Sequence, residues 1–156
     1  MNKKRKTCFI NDMDEIIPNL YLGNKLAALD INNLKEHNIT HIVNCAEELK
    51  YIIDEYDGKF ICLHLPICDS GISGSILNYI TESIKFINNA LSNDKKVLVH
   101  CSAGISRSVS IVIAYMMYKN NSSFNMAYDH IKLIRPLSRP FTTFREELES
   151  FKYLNI

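Results

Sequence analysis

Residues Val97 to Ser108, VLVHCSAGISRS, constrain this chain more than any other stretch. A β-type apolar run ends in a cysteine, a short loop with one glycine follows, and an arginine stands six positions after the thiol. Beyond it VSIVIAYMMY, Val109 to Tyr118, reads as a buried helix. A packed strand that simply turned into a helix would need neither a thiol at the turn nor a lone guanidinium among three serine hydroxyls. Something negatively charged is therefore expected to sit there.

The rest of the chain supplies partners for that unit. Short β-type runs occur at Glu15 to Ile17, Leu20 to Gly23, THIVNCA from Thr40, FICLHLP from Phe60 and KVLVH from Lys96. They alternate with helical patterns, which predicts an α/β fold: a single domain with a central mixed, mostly parallel sheet of about five strands flanked by helices. Between Ser75 and Leu91, Ile76, Ile80, Ile84, Ile87 and Leu91 recur at spacings of four, four, three and four, so that face should lie on the sheet. Ser122 or Ser123 can cap a following helix that Pro136 stops after Arg135. In the last helix Phe144, Leu148 and Phe151 share a face. Residues 1–12 are expected to be loose and 13–156 to form the domain.

Composition narrows the functional classes. Eighteen basic and 17 acidic residues leave a net charge of +1, so nothing global points to nucleic acid or to an anionic membrane, and any anion site must be local. MNKKRKTCFI is basic but has no signal-like apolar stretch behind it and no glycine at position 2 for myristoylation. The longest apolar run falls far short of the roughly 20 residues that span a bilayer. A cytoplasmic or nuclear protein is expected, and the sequons at Asn38 and Asn121 are read as chance. Five cysteines, Cys8, Cys45, Cys62, Cys68 and Cys101, lack the paired spacings of zinc sites. In a reducing compartment they are free thiols, with Cys45 and Cys62 read as packing residues.

If Cys101 ends a strand and a helix begins near Ser106, the residues between Cys101 and Arg107 form a tight loop. Gly104 tolerates positive φ there, and the amides of Ser102, Ala103, Gly104, Ile105 and Ser106 can cradle an anion above the helix's positive pole. Thiols in such settings favour the thiolate. The fork of Arg107 can hold two phosphoryl oxygens at once. Asp69, in LPICDSG after another strand, lies 32 positions earlier but can reach the same crevice and donate a proton to a leaving alcohol or phenol. Pro66 and Gly71 make its loop turn-rich. Ser108 can cap the helix or donate a hydrogen bond to sulfur. His100 is read as structural, and His37, His41, His64 and His130 are assigned no chemistry. Cys68, next to Asp69, is the candidate resolving thiol for an oxidised Cys101 by loop position, against the competing reading that its side chain points into the core; Cys62 and Cys45 are the alternatives if a bridge forms beneath the loop.

HCSAGISRS matches HC-x5-R-S at every fixed position, and the chain resembles a dual-specificity phosphatase of the cysteine-dependent protein tyrosine phosphatase superfamily. The likeness extends through IIPNLYLGN, ITHIVNCA, the loop around Asp69, AYMMYKN and IRP. It implies a protein phosphatase acting on phosphotyrosine and phosphoserine or phosphothreonine. Cys101 would be the nucleophile, Asp69 the general acid that later activates water, Arg107 the phosphate clamp and Ser108 an aid to hydrolysis. No metal or organic cofactor is implied, and no oligomeric state can be read. One departure is Phe141, in RPFTTF, where family members often carry asparagine; it bears on the anchoring of the last helix more than on chemistry.

Three other readings compete. A pseudophosphatase usually lacks the cysteine, the arginine or the acid, and all three are present. Phosphoinositide and RNA phosphatases tend to carry lysines in the loop or a broad basic surface, whereas Ser-Ala-Gly-Ile-Ser is uncharged. A sulfurtransferase needs neither Asp69 nor the Arg-Ser pair.

Overall fold

The computed structural model describes residues 10–69 and 74–152. Five strands form one sheet: β1 (Met13–Ile17), β2 (Leu20–Gly23), β3 (Ile39–Asn44), β4 (Ile61–His64) and β5 (Lys96–His100), in spatial order β1-β2-β5-β3-β4. Only β1 pairs antiparallel, through a tight turn in which Asn19 takes φ 69°; β2, β5, β3 and β4 run parallel. The mixed, mostly parallel sheet expected from the alternating runs is the one observed.

Among the described residues seven α-helices accompany the strands: α1 (Lys25–Leu29), α2 (Ile31–Glu36), α3 (Ile52–Glu55), α4 (Leu77–Ser92), α5 (Arg107–Asn120), α6 (Phe124–Ile134) and α7 (Thr142–Ser150). Helices α2 and α3 each pack on α1, and α4, α6 and α7 each pack on α5. Val97, Leu98 and Val99 point alternately to the two sides of β5, yet all three are fully buried, so both faces of the sheet are covered. Every residue of α5 from Arg107 to Met117 is buried, as its unbroken apolar run requires. On α4 the face of Ile80, Ile84 and Ile87 is buried as expected. Ala90 closes it at the last turn, where Leu91 is only half-buried.

Local chemistry sets the helix ends. Ser123, not Ser122, caps α6 by accepting from the Met126 amide at 3.2 Å. Asn121 closes α5 in the left-handed conformation, φ 48°, and its amide bonds the Met117 carbonyl. Of the segment 1–12, Asp12 holds Asn24 through backbone and side chain, and the Asn11 carbonyl accepts from Arg135; residues 1–9 lie outside the described ones. Among the described residues no helix is long and apolar enough to cross a membrane.

The register positions the site. Asn44, His64 and His100 end their strands side by side at one sheet edge, with Gly23 opposite His100. Chain leaving β3, β4 and β5 therefore emerges into one crevice.

Candidate active site

Cys101 follows β5 directly, with its residue only 3% exposed. The loop after it turns at Gly104, which has φ +66°. A Cβ there would stand 2.6 Å from an Arg135 nitrogen and 2.7 Å from the Gly23 carbonyl oxygen, so glycine is required by both conformation and space. The loop's carbonyls face outward to three neighbours: Ser102 accepts from the Lys25 amide, Gly104 from Arg135 Nε at 3.0 Å, and Ile105 from the Arg139 amide at 2.7 Å. With these acceptors turned away, the centre of the loop suits an anion. Ser106 Oγ accepts from the Phe141 amide at 2.9 Å, and Ser108 Oγ lies 3.1 Å from Cys101 Sγ.

Arg107 opens α5 with a side chain only 1% exposed. Two edges of its guanidinium are used differently. Nη1 and Nη2 donate to the two oxygens of Glu48 at 2.7 and 2.6 Å, and Nη1 also donates to the Ile67 carbonyl at 3.0 Å. Nε has no hydrogen-bond partner among the described residues and stands 3.4 Å from Asp69 Oδ1. Burial alone would disfavour the cation. The bonds to Glu48 and the charges of Cys101, Asp69 and Glu48 outweigh it and raise the Arg107 pKa. Hydrogen bonding from Arg107, opposed by partial burial, holds the Glu48 carboxyl below its usual value.

The crevice thus brings together the residues that the sequence assigned to catalysis and phosphate binding: Cys101, the loop Ser102 to Ser106, Arg107, Ser108 and Asp69. Asp69 leaves β4 five residues after His64, with a side chain 68% exposed at the mouth. Gly71, assigned to the same turn, lies outside the described residues. His100 is fully buried; burial first, then the nearby charges of His64 and Arg107, lowers its pKa to about 4 against the bond of Nδ1 to the Cys101 carbonyl. It is a neutral, structural imidazole at neutral pH. The Cys45 thiol is wholly buried, and burial, then the charge of Cys101, pushes its pKa well up. Cys62 is pushed up to about 11 by burial, which suits packing residues rather than reactive thiols.

Glu48 was not singled out in the sequence. Buried Asn44 bends the chain after β3, accepting from the Ala46 amide and donating to the Leu49 carbonyl, and so delivers Glu48 to the sheet edge. The one available signal was position: an acid four residues past a strand that ends beside β5. Phe141 also has more bearing on the site than its sequence position suggests. Its amide anchors α7 to Ser106, while the residue, 40% exposed, lines a cleft of about 510 Å³ with Asp69, Cys101, Ile105, Arg107 and Arg139.

Comparison with known proteins gives a consistent result. Residues 20–153 match the family model described as dual specificity phosphatase, catalytic domain. The chain is 34% identical over 145 residues to dual specificity protein phosphatase 15 of Mus musculus, covering 93% of this chain and 60% of that protein. To dual specificity protein phosphatase 22 of Homo sapiens it is 33% identical over 142 residues, covering 91% and 74%. The chain thus spans about three-fifths of the mouse relative's length. In three dimensions it resembles the crystal structure of DUSP15, with a TM-score of 0.82, 34% identity, and 90% and 87% of the two chains covered. It also resembles the human tyrosine phosphatase-like serine/threonine/tyrosine-interacting protein, with a TM-score of 0.79, 33% identity, and 87% and 92% covered.

Proposed function

Because the chain belongs to the dual-specificity phosphatase catalytic-domain family, we propose that it hydrolyses phosphotyrosine and phosphoserine or phosphothreonine in proteins through a cysteinyl-phosphate intermediate. The observation that carries this reading is the unpartnered Nε of a buried arginine, beside the thiol's loop and the Asp69 carboxylate. A buried donor without an acceptor is costly. A phosphoryl oxygen supplies the acceptor, and the remaining proton of Nη2 takes a second oxygen in the forked geometry that suits arginine.

In the first step the Cys101 thiolate attacks phosphorus in line; the S–P bond forms, the P–O bond to the substrate breaks, and Asp69 protonates the departing oxygen. In the second, Asp69 takes a proton from water as that water attacks phosphorus, and Cys101 leaves as thiolate with Ser108 Oγ donating to it. Amides of the loop and Arg107 stabilise the charge on the equatorial oxygens in both transition states. A reactive thiol of this kind works in a compartment that keeps it reduced, the cytoplasm or nucleus.

The test is turnover of p-nitrophenyl phosphate by the wild type, inhibited by vanadate, and its loss in Cys101→Ser with the fold retained. Residual turnover above about one per cent in that variant contradicts covalent catalysis, given the millionfold or greater acceleration enzymes supply. Wild-type protein that binds phosphopeptides but turns none over is a phosphoprotein-binding module instead. Asp69→Asn is expected to lose roughly 10²- to 10⁴-fold in rate on alkyl phosphates and much less on aryl phosphates with acidic phenols. Equal losses across that series remove Asp69 from the proton-transfer role.

A further inference from the structure

We propose that Arg139 reads an anionic side chain flanking the scissile phosphoresidue, so that this chain selects acidic or multiply phosphorylated segments; the proposal rests on the phosphatase reading above. Four arginines lie among the described residues. Arg107 pairs with Glu48, Arg135 with Asp14 and Arg145 with Glu149. Arg139 is exposed, lines the cleft over Cys101, and makes no side-chain hydrogen bond or ion pair with any described residue.

Its backbone is nevertheless fixed. The Arg139 amide donates to the Ile105 carbonyl at 2.7 Å, and the Phe141 amide, two residues on, donates to Ser106 Oγ at 2.9 Å. Pro140 between them locks its own φ. The guanidinium is therefore displayed from the rim of the cysteine loop rather than from a loose surface segment. The Ile105 carbonyl faces away from the loop's centre, so Arg139 stands beside the phosphate position and not within it. Arg107 and the loop amides serve the scissile group; Arg139 is left for the neighbouring part of the substrate. With a net charge of only +1 the chain has no general attraction for acidic segments, so the preference is local to this rim.

An ion pair at an exposed rim is worth roughly a two- to fivefold ratio in affinity, and salt weakens it. The test uses three phosphotyrosyl peptides that differ only in their flanks: alanines, glutamates, or a second phosphoresidue. Wild-type kcat/KM should favour the glutamate peptide over the alanine one by about two- to fivefold. Arg139→Gln should bring the ratio to one, Arg139→Glu should invert it, and Arg139→Lys should keep part of it. A larger gain for the doubly phosphorylated peptide, also lost in Arg139→Gln, identifies phosphate as the anion; equal gains show that a carboxylate suffices. Equal wild-type rates on all three peptides, or a ratio that survives Arg139→Gln, overturns the proposal. Binding of the same peptides to Cys101→Ser, with and without Arg139→Gln, reads the same ratio without turnover. A wild type that turns over none of them therefore sinks the phosphatase reading while the rim is still judged by affinity.

Discussion

Glu48 holds one edge of the Arg107 guanidinium so that the other edge faces the cleft. A carboxylate with both oxygens engaged fixes the guanidinium plane, whereas an amide in its place keeps only one acceptor and leaves the fork free to turn. Glu48→Gln should therefore lower kcat/KM by roughly 10- to 100-fold, the range expected for a hydrogen bond between charged groups. Glu48→Asp, too short to span both nitrogens, should not restore it. An unchanged kcat/KM in Glu48→Gln would show that the Ile67 carbonyl orients Arg107 alone. The residues proposed to meet substrate were legible in the sequence because HC-x5-R-S keeps most of them at fixed spacing within one loop. Glu48 was not, because it lies 59 positions from Arg107 in the chain and meets it only once β3 and β5 pair.

At the level of elements, the loop from Cys101 to Ser106 is held in shape by contacts behind it. Gly104→Ala combines a left-handed backbone, costing about 1–3 kcal/mol for a residue with a side chain, with a Cβ that has no room beside Arg135 and Gly23. A loss of about 2–5 kcal/mol in stability is expected from the two effects together, read as a lower urea midpoint with unchanged slope. A variant as stable as wild type would mean that the loop moves away from Arg135 at little cost. The longer elements could be read in advance because their apolar periods run for several turns, as in α4, or because the run is apolar throughout, as in α5. Helices α1 and α2, of five and six residues, were not anticipated. Pieces that short contain too few turns to show a period, and side-chain caps from Asn24 and Asp30 define their starts instead.

Across the whole molecule, the neutral state of buried His100 links folding to pH. Its pKa is about 4 folded against about 6.5 unfolded, so between those values the unfolded chain binds more protons. Stability is complete above pH 6.5 and falls as pH drops toward 4, by about 3 kcal/mol from this one residue. Glu48, with a lowered pKa, adds a loss of the same sign as pH falls through the carboxylate range. Urea midpoints measured from pH 7 to 4.5 should decline steadily, and His100→Asn should flatten that decline; an equal slope in the variant would place the titration elsewhere. The mixed, mostly parallel five-strand sheet was legible from alternating runs, but its strand order was not, since no local signal says that β5 slides between β2 and β3.

The brace behind the nucleophile loop also sets an order of events during synthesis. Gly104, Ile105 and Ser106 are held by Arg135, Arg139 and Phe141, about thirty residues downstream, and Arg135 in turn grips Asp14 near the other end. A nascent chain exposes its amino-terminal part first. On the ribosome the thiol is therefore translated, and β5 can already be seated in the sheet, well before the segment that shapes its loop has emerged. The contacts that brace the loop can form only after residues 135–141 have emerged, so a nascent chain stalled before them carries the cysteine without its brace.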